Sequence, residues 1–146
     1  MPIQKQEFYE GAALHQLIRG SNSTSVAYAP PLFVFDGVLQ VHLKYSTAKR
    51  SPWNFTFVPE EQRLLHARSE MMPLVIGLIC GADGIAALPY SDYACIASMR
   101  DAALGVSCRR NHRERFEISG PDGTLPGKVA PADWSNLLRR RGDKAR

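Results

Sequence analysis

The stretch FVFDGVLQVHLKYS, residues 33–46, decides the predicted fold of this chain. Asp36-Gly37 lies between two runs of β-branched, aromatic and other apolar residues, 32–35 and 38–45. Asp-Gly between such runs is a strong hairpin signal, because a type I′ turn requires positive φ at both central residues. The stretch therefore predicts a β-hairpin with a two-residue turn.

The predicted hairpin has one apolar face and one polar face. A two-residue turn pairs Phe33 with Gln40, Pro31 with His42 and Ala29 with Lys44. Side chains alternate between the faces of a strand, so Gln40, His42 and Lys44 project from the same face. Two interpretations stay open: an exposed polar surface, which the outer face of a sheet commonly shows, and a site that handles phosphate.

The rest of the chain predicts further strands and helices around this hairpin. A helix is expected at 6–19, a strand at 25–29, a strand with alternating aromatic residues at 52–58 and a helix at 60–67. Strands at 74–80 and 84–88 follow, then a helix at 91–103, strands at 106–109 and 115–118, and a final helix at 131–138. This order predicts an α+β fold, a mixed sheet flanked by helices with a helix-strand-strand-strand-helix-strand core.

Length and composition favour one globular domain. The chain has 146 residues, of which 45% are hydrophobic and 22% charged. We expect one domain over residues 1–138 and a disordered basic tail over 139–146. The longest apolar run, 73–80, is far shorter than the roughly 20 residues that a membrane-spanning helix needs. The N-terminus also lacks the order of a signal peptide, so a cytoplasmic protein without a membrane partner is expected.

The cysteines and tryptophans predict a structural role in the core. Cys80, Cys95 and Cys108 are odd in number and form no Cys-x-x-Cys pair, which argues against a disulfide framework and a zinc site. We expect three buried free thiols. Trp53 and Trp134 are expected to anchor the core rather than to stack on bases.

Basic residues are concentrated in two segments of the sequence. Residues 108–115 and 138–146 contain nine of the 18 Lys and Arg residues. Such segments neutralise phosphates without sequence preference, although they are also typical of solvated surfaces. The candidate nucleic-acid-binding residues are Lys49, Arg50, Arg109, Arg110 and Arg113.

The order of motifs resembles the PD-(D/E)XK nuclease superfamily, with most likeness to its homing-endonuclease and Holliday-junction-resolvase branches. The likeness consists of a helix with acids, a strand, an Asp-Gly hairpin whose second arm reads Gln40-Val-His-Leu-Lys44, and the strand Trp53-Asn-Phe-Thr-Phe57. It covers residues 6–58 and extends more loosely over 74–88. The resemblance implies a restriction-endonuclease-like fold and Mg²⁺-dependent cleavage of a phosphodiester.

Carried onto this sequence, the resemblance implies that Lys44 is the catalytic lysine, with His42 two residues before it. Glu10 or Glu7 would be the supporting acid, and Asp36 would be a catalytic residue and the ligand of Mg²⁺. Two features depart from the family pattern. His42 offers nitrogen where Mg²⁺ prefers oxygen, and a strand rise of about 3.3 Å per residue separates Asp36 from Lys44 by roughly 25 Å. Asp36 is therefore either a turn residue or a metal ligand.

Two functions are consistent with these observations. One is a nuclease-like protein that associates with nucleic acid and cleaves it with Mg²⁺. The other is a catalytically inactive subunit of a bacterial multiprotein assembly, which has kept the fold, lost its acid and binds a protein partner or a second copy of itself. The second is suggested by Pro31 and Ala29, which stand where a ligand is needed, and by exposed-looking aromatics in Arg50-Ser-Pro-Trp53.

Overall fold

The computed structural model describes residues 2–21 and 25–138, and shows an α+β fold. The helices are α1 (Lys5–Arg19), α2 (Pro59–Ser69), α3 (Tyr90–Ile96) and α4 (Ala132–Ser135). The strands are β1 (Val26–Ala29), β2 (Leu32–Phe35), β3 (Leu39–Ser46), β4 (Trp53–Phe57), β5 (Leu74–Cys80), β6 (Gly84–Pro89), β7 (Leu104–Arg109), β8 (Glu117–Gly120) and β9 (Gly123–Thr124). The predicted tail, residues 139–146, lies outside the described residues.

The strands form two sheets rather than the single mixed sheet predicted from the sequence. The first has the order β1-β2-β3-β5-β6, in which only the β3–β5 pair is parallel. The second is antiparallel, with the order β4-β7-β8-β9. The aromatic strand β4 buries Trp53, Phe55 and Phe57 and exposes the residues between them. These buried aromatic residues belong to the same hydrophobic cluster as Ile76 and Leu78 of β5, so the second sheet packs against the first.

The hairpin turn forms as predicted, but the strands beyond it pair one residue out of the predicted register. Asp36 and Gly37 have φ angles of +52° and +68°, and Val38 N donates to Phe35 O at 3.0 Å. In the ladder, however, Phe35 pairs with Leu39, so Val38 is an extra residue and forms a bulge. A shift of one residue moves every side chain of a strand to the opposite face relative to its partner. The predicted pairs of His42 with Pro31 and Lys44 with Ala29 are therefore wrong.

Two hydrophobic clusters cover the two faces of the first sheet. Between the sheets, Ile76 and Leu78 of β5 belong to the same cluster as Phe57 of β4 and Phe116. On the opposite face, Val75 and Ile79 of β5 belong to a cluster built with α1 and α4. β5 is buried at every position, which agrees with its place between β3 and β6 in the first sheet.

The two tryptophans anchor these clusters, as predicted. Trp53 lies between the sheets, and Trp134 lies on the helical side with its Nε1 donating to Ala13 O at 3.0 Å. Trp134 also lies against Gly77, where an added Cβ would stand 2.8 Å from the indole ring. The short α4 is thereby fixed to both α1 and β5.

The thiols differ in their surroundings. Cys80 and Cys108 are buried and free, as predicted, but Cys95 on α3 is exposed. A hydrogen bond with Cys108, together with burial, raises the pKa of Cys80. The helix that carries Cys95 ends at Ile96, seven residues before its predicted end. No helix within residues 2–21 and 25–138 is long and apolar enough to cross a bilayer.

Candidate functional site

The polar residues of β3 do not form an exposed surface, since Gln40 and His42 are buried and Lys44 is partly buried. Gln40 and His42 are only 2% and 5% exposed, although they share one face of β3 with Lys44 as predicted. Gln40 Nε2 donates to the carbonyl oxygens of Arg68 and Met72, at 2.7 and 3.1 Å. These bonds fix the C-terminal end of α2 against β3.

Glu61 of α2 supplies the acid that the sequence analysis did not find. Its Oε2 lies 2.7 Å from His42 Nε2, and both of its oxygens lie 3.0 Å from Lys44 Nζ. Lys44 Nζ also donates to Thr56 O at 2.6 Å and lies 4.8 Å from the centroid of the Phe57 ring. The acid beside His42 and Lys44 therefore lies on a helix, and not on a strand that pairs with β3.

The sequence around Glu61 explains its position. Pro59 opens α2 directly after β4, and Glu60 and Glu61 occupy the first turn, where the helix dipole favours negative charge. Glu60 is exposed, whereas Glu61 is partly buried against β3. Burial raises the pKa of the Glu61 carboxyl, but the hydrogen bond from His42 and the charge and hydrogen bond of Lys44 lower it more, and the net result is a pKa below its ordinary value.

An ionised Glu61 determines which nitrogen of His42 carries a proton. Because a carboxylate only accepts hydrogen bonds, the Nε2 atom that contacts Glu61 carries the proton. The other ring nitrogen, Nδ1, is buried and has no hydrogen-bond partner within the described part of the chain. Among the described residues, Glu61 is thus the hydrogen-bond partner of the His42 ring.

These residues line a cleft of about 240 Å³, the Lys44 cleft, formed by Gln6, Glu10, His42, Leu43, Lys44, Tyr45 and Glu61. The structure thus brings the predicted residues Glu10, His42 and Lys44 together. Glu7 has a different position, since its Oε1 accepts from Gln4 N at 3.0 Å and caps the start of α1.

Asp36 does not belong to the Lys44 cleft. It lies at the opposite end of β3, where its backbone N donates to Ser25 O and its Oδ1 accepts from Ser25 N at 2.8 Å. Within residues 2–21 and 25–138, no group of three or more His, Cys, Asp or Glu side chains is placed to hold a metal ion. Glu10 and Glu61 are the carboxylates that the Lys44 cleft offers, and Mg²⁺ commonly binds one or two carboxylates together with substrate phosphates.

A second cleft, the basic cleft, gathers cations from two distant segments of the sequence. It measures about 640 Å³ and is lined by Lys49, Arg50, Ser51, Trp53, Asp83, Arg110, Asn111, His112 and Arg113. Four of the five predicted nucleic-acid-binding residues lie in it. The fifth, Arg109, is exposed on β7 opposite Glu117 and does not line this cleft.

Arg110 holds the walls of the basic cleft together. Its backbone N donates to Ser51 Oγ at 3.0 Å, while its guanidinium donates to Glu114 O at 2.6 Å and to Asp83 Oδ2 at 2.9 Å. The guanidinium also lies 5.1 Å from the centroid of the Phe116 ring. Arg110 therefore connects three loops and is itself partly neutralised by Asp83.

The other three cations of the basic cleft face solvent. Lys49, Arg50 and Arg113 are exposed, and none of them forms an ion pair with any residue that the structure describes. Arg113 has a φ angle of +63°, a conformation that residues other than glycine rarely adopt. The cleft thus presents uncompensated positive charge on a fixed frame.

Sequence reasoning found the residues of the basic cleft but not their convergence. The pairing of Trp53 with Cys108 in the β4–β7 ladder brings the segment after β3 beside the segment after β7. Glu61 was missed because it lies in a different predicted element, 17 residues from Lys44. Its position in the first turn of α2, directly after the aromatic strand, was the available signal.

Comparison of the chain with protein-family models, with curated proteins and with solved structures found no match. The resemblance to the PD-(D/E)XK superfamily therefore depends on the motif order alone. The geometry of the two clefts is the basis on which a function can be inferred.

Proposed function

We propose that this protein binds the phosphate backbone of nucleic acid in the basic cleft. The observation that carries the proposal is the convergence of Lys49 and Arg50 with Arg110 and Arg113 in one concavity. Lys and Arg side chains neutralise phosphates and release the counterions that surround a nucleic acid, which favours binding. Such contacts position a strand without reading its sequence.

The frame of the basic cleft supports this proposal. Arg110 is fixed by Ser51, Asp83 and Glu114, so little conformational entropy is lost at this position when a ligand binds. Lys49, Arg50 and Arg113 are exposed and need not break an ion pair to reach a phosphate. Binding then draws on side chains that are already free to form new contacts.

Fluorescence anisotropy with single-stranded and duplex DNA and RNA at several salt concentrations tests the proposal. We expect the logarithm of affinity to fall linearly with the logarithm of salt concentration. This fall should become shallower, by about 1 in the magnitude of the slope, for each cation removed. The variants are Lys49→Gln, Arg50→Gln and Arg113→Asn, since Asn tolerates a positive φ. Arg109→Gln is the control, because it removes a cation outside the cleft. Binding that is insensitive to salt, or equal in all variants, would refute the proposal.

A second candidate function is cleavage of a phosphodiester in the Lys44 cleft. It is favoured by the presence of Glu10, Lys44 and Glu61 in one cleft. Lys49 of the basic cleft follows Lys44 by five positions in the sequence, a span of at most about 18 Å. This candidate includes a restriction-endonuclease-like core of α1, β1, β2, β3, α2 and β5, with β4 inserted, which the order of these elements supports.

In this second candidate, Glu10 and Glu61 would hold Mg²⁺, which polarises a phosphate and activates water when bound. Lys44 would position the water and the phosphate oxygen. The test is cleavage of branched, nicked and linear DNA with Mg²⁺ or Mn²⁺, compared with Lys44→Ala and Glu10→Gln. Binding without cleavage under all these conditions would leave phosphate binding as the function and exclude this candidate.

A further inference from the structure

The basic cleft has buried and exposed members with different roles. Trp53 is buried and Arg110 is largely covered, whereas Lys49, Arg50 and Arg113 are exposed. The buried members are fixed, since Trp53 Nε1 donates to Ala48 O at 2.9 Å and Arg110 is held by three loops. A ligand in this cleft therefore meets a rigid base and three free cations.

The shape of the cleft selects among nucleic acids. A concavity of about 640 Å³ lies in the size range of sites for small ligands. Duplex DNA instead presents its phosphates along a convex outer surface, with one charge per about 1.7 Å of helix axis. A concave site lined by several cations is better matched to a flexible single strand whose end enters it than to the convex surface of a duplex.

The charge of the cleft selects among phosphates. Asp83 is the acid that lines it, and its carboxylate is paired with Arg110 at 2.9 Å. Three cations are left, more than the single charge of an internal phosphodiester requires. A phosphomonoester carries a charge of about −1.5 to −2 at neutral pH and has three acceptor oxygens. Arginine forks are well suited to bind two of those oxygens at once.

We propose that the basic cleft binds a terminal phosphomonoester, the phosphorylated end of a nucleic-acid strand. This inference rests on the proposed function and deepens it. The left-handed conformation of Arg113 supports it, because residues held in sparsely populated conformations concentrate at ligand sites. Asn111 O accepts from Glu114 N at 3.0 Å and closes the turn that presents Arg113.

The test compares oligonucleotides of one sequence that carry a 5′-phosphate, a 3′-phosphate or only hydroxyl ends, as single strands and as blunt duplexes. We expect a phosphorylated single strand to bind at least about tenfold more tightly than the hydroxyl strand, since a charge-assisted hydrogen bond contributes a factor of this order. The advantage should disappear in Arg50→Gln and in Arg113→Asn and persist in Arg109→Gln. Far-UV circular dichroism confirms that each variant is folded.

Competition by a nucleoside monophosphate distinguishes the source of the phosphomonoester. If the nucleoside monophosphate binds as tightly as the phosphorylated strand, the ligand is a free nucleotide. If it binds much more weakly, the ligand is the phosphorylated end of a strand. Equal affinity for phosphorylated and hydroxyl strands, with binding still sensitive to salt, would overturn the inference and leave the proposed function standing. Absence of binding by every oligonucleotide would overturn both.

Discussion

Glu61 holds two basic side chains of β3 with a single carboxylate. Lys44 is bonded to both of its oxygens and His42 to one of them, in a place where the side chains of His42 and Glu61 are mostly covered. Covered charges are tolerated when each is paired, and removal of one partner leaves the others without compensation. The group therefore stabilises the contact between α2 and β3 whether or not the Lys44 cleft is catalytic.

We predict that Glu61→Gln lowers the free energy of unfolding by roughly 2 kcal/mol at neutral pH, because the variant leaves Lys44 partly buried without its counter-charge. The lowered pKa of Glu61 means that its ionised form favours the folded state. That contribution is present above the ordinary value of 4.5 and is lost as pH falls through the folded-state pKa. Urea unfolding at several pH values should therefore show that the difference in unfolding free energy between Glu61→Gln and the native protein becomes smaller as pH falls below 4.5.

The matched control for that experiment is Glu60→Gln, which alters the exposed neighbouring acid of the same helical turn. Its effect should stay within about 0.5 kcal/mol, as is usual for surface substitutions. Equal destabilisation by both variants would indicate a general effect of the helix dipole and would contradict the specific role of Glu61.

Gln62 offers a second prediction for a single side chain. It is buried, its Nε2 donates to the carbonyl oxygens of Phe57 and Ala102 at 2.9 Å each, and its Oε1 accepts from Arg100 N at 2.9 Å. Gln62→Leu would remove these three hydrogen bonds to the backbone and should lower the free energy of unfolding by about 3 kcal/mol. Chemical denaturation measures this, with Gln16→Leu at a half-buried position of α1 as control. A loss below about 1 kcal/mol would show that water replaces these bonds.

At the scale of elements, the sequence predicts the type and order of nearly every helix and strand, since periodicity and turn residues are local signals. The failures come from interactions between elements. The extra residue Val38 shifts the pairing by one position, so that Val34 rather than Phe33 lies opposite Gln40. The Asp-Gly sequence does not distinguish a plain two-residue turn from a turn followed by a bulge. The alternation in β4 indicates a half-buried strand, but it does not specify which sheet the strand joins.

The same limits apply to the candidate sites. Glu10, His42 and Lys44 were named from the sequence and share a cleft, whereas Glu61 depends on how α2 packs and could not be placed. Two features that suggested an inactive interaction subunit are absent from the described residues. Trp53 is buried rather than exposed, and Pro31 does not pair with His42 in the observed register. The function of an inactive interaction subunit stays a prediction, but neither the exposure of Trp53 nor a Pro31–His42 pair supports it.

The packing of α4 on β5 gives a prediction at the scale of elements. A Cβ at Gly77 would stand 2.8 Å from the ring of Trp134 and 2.9 Å from Leu43 Cδ2, and both side chains are buried. Gly77→Ala should therefore lower the free energy of unfolding by about 2 kcal/mol, as overpacking does. Gly105→Ala on β7 is the control, because an added Cβ there meets nothing within 4 Å. A neutral Gly77→Ala in thermal unfolding would contradict this packing.

At the scale of the whole molecule, β5 joins the two hydrophobic clusters. Alternate residues of this one strand belong to different clusters, with Ile76 and Leu78 between the sheets and Val75 and Ile79 on the helical side. If the cluster on one face of β5 unfolds, β5 loses the packing that holds it in the sheet, and the cluster on its other face is disrupted as well. Both clusters should therefore unfold in one cooperative transition.

The two tryptophans allow this to be measured, because Trp53 lies in one cluster and Trp134 in the other. In Trp134→Phe the fluorescence reports only the cluster between the sheets, and in Trp53→Phe only the cluster beneath α1 and α4. We expect the fluorescence midpoint in urea to coincide with the far-UV circular dichroism midpoint within each variant, whatever the stability of that variant. A comparison within each variant is needed because Trp134→Phe removes the bond to Ala13 O and should be less stable. Fluorescence and circular dichroism midpoints that differ in either variant would show that the helical layer unfolds separately from the paired sheets.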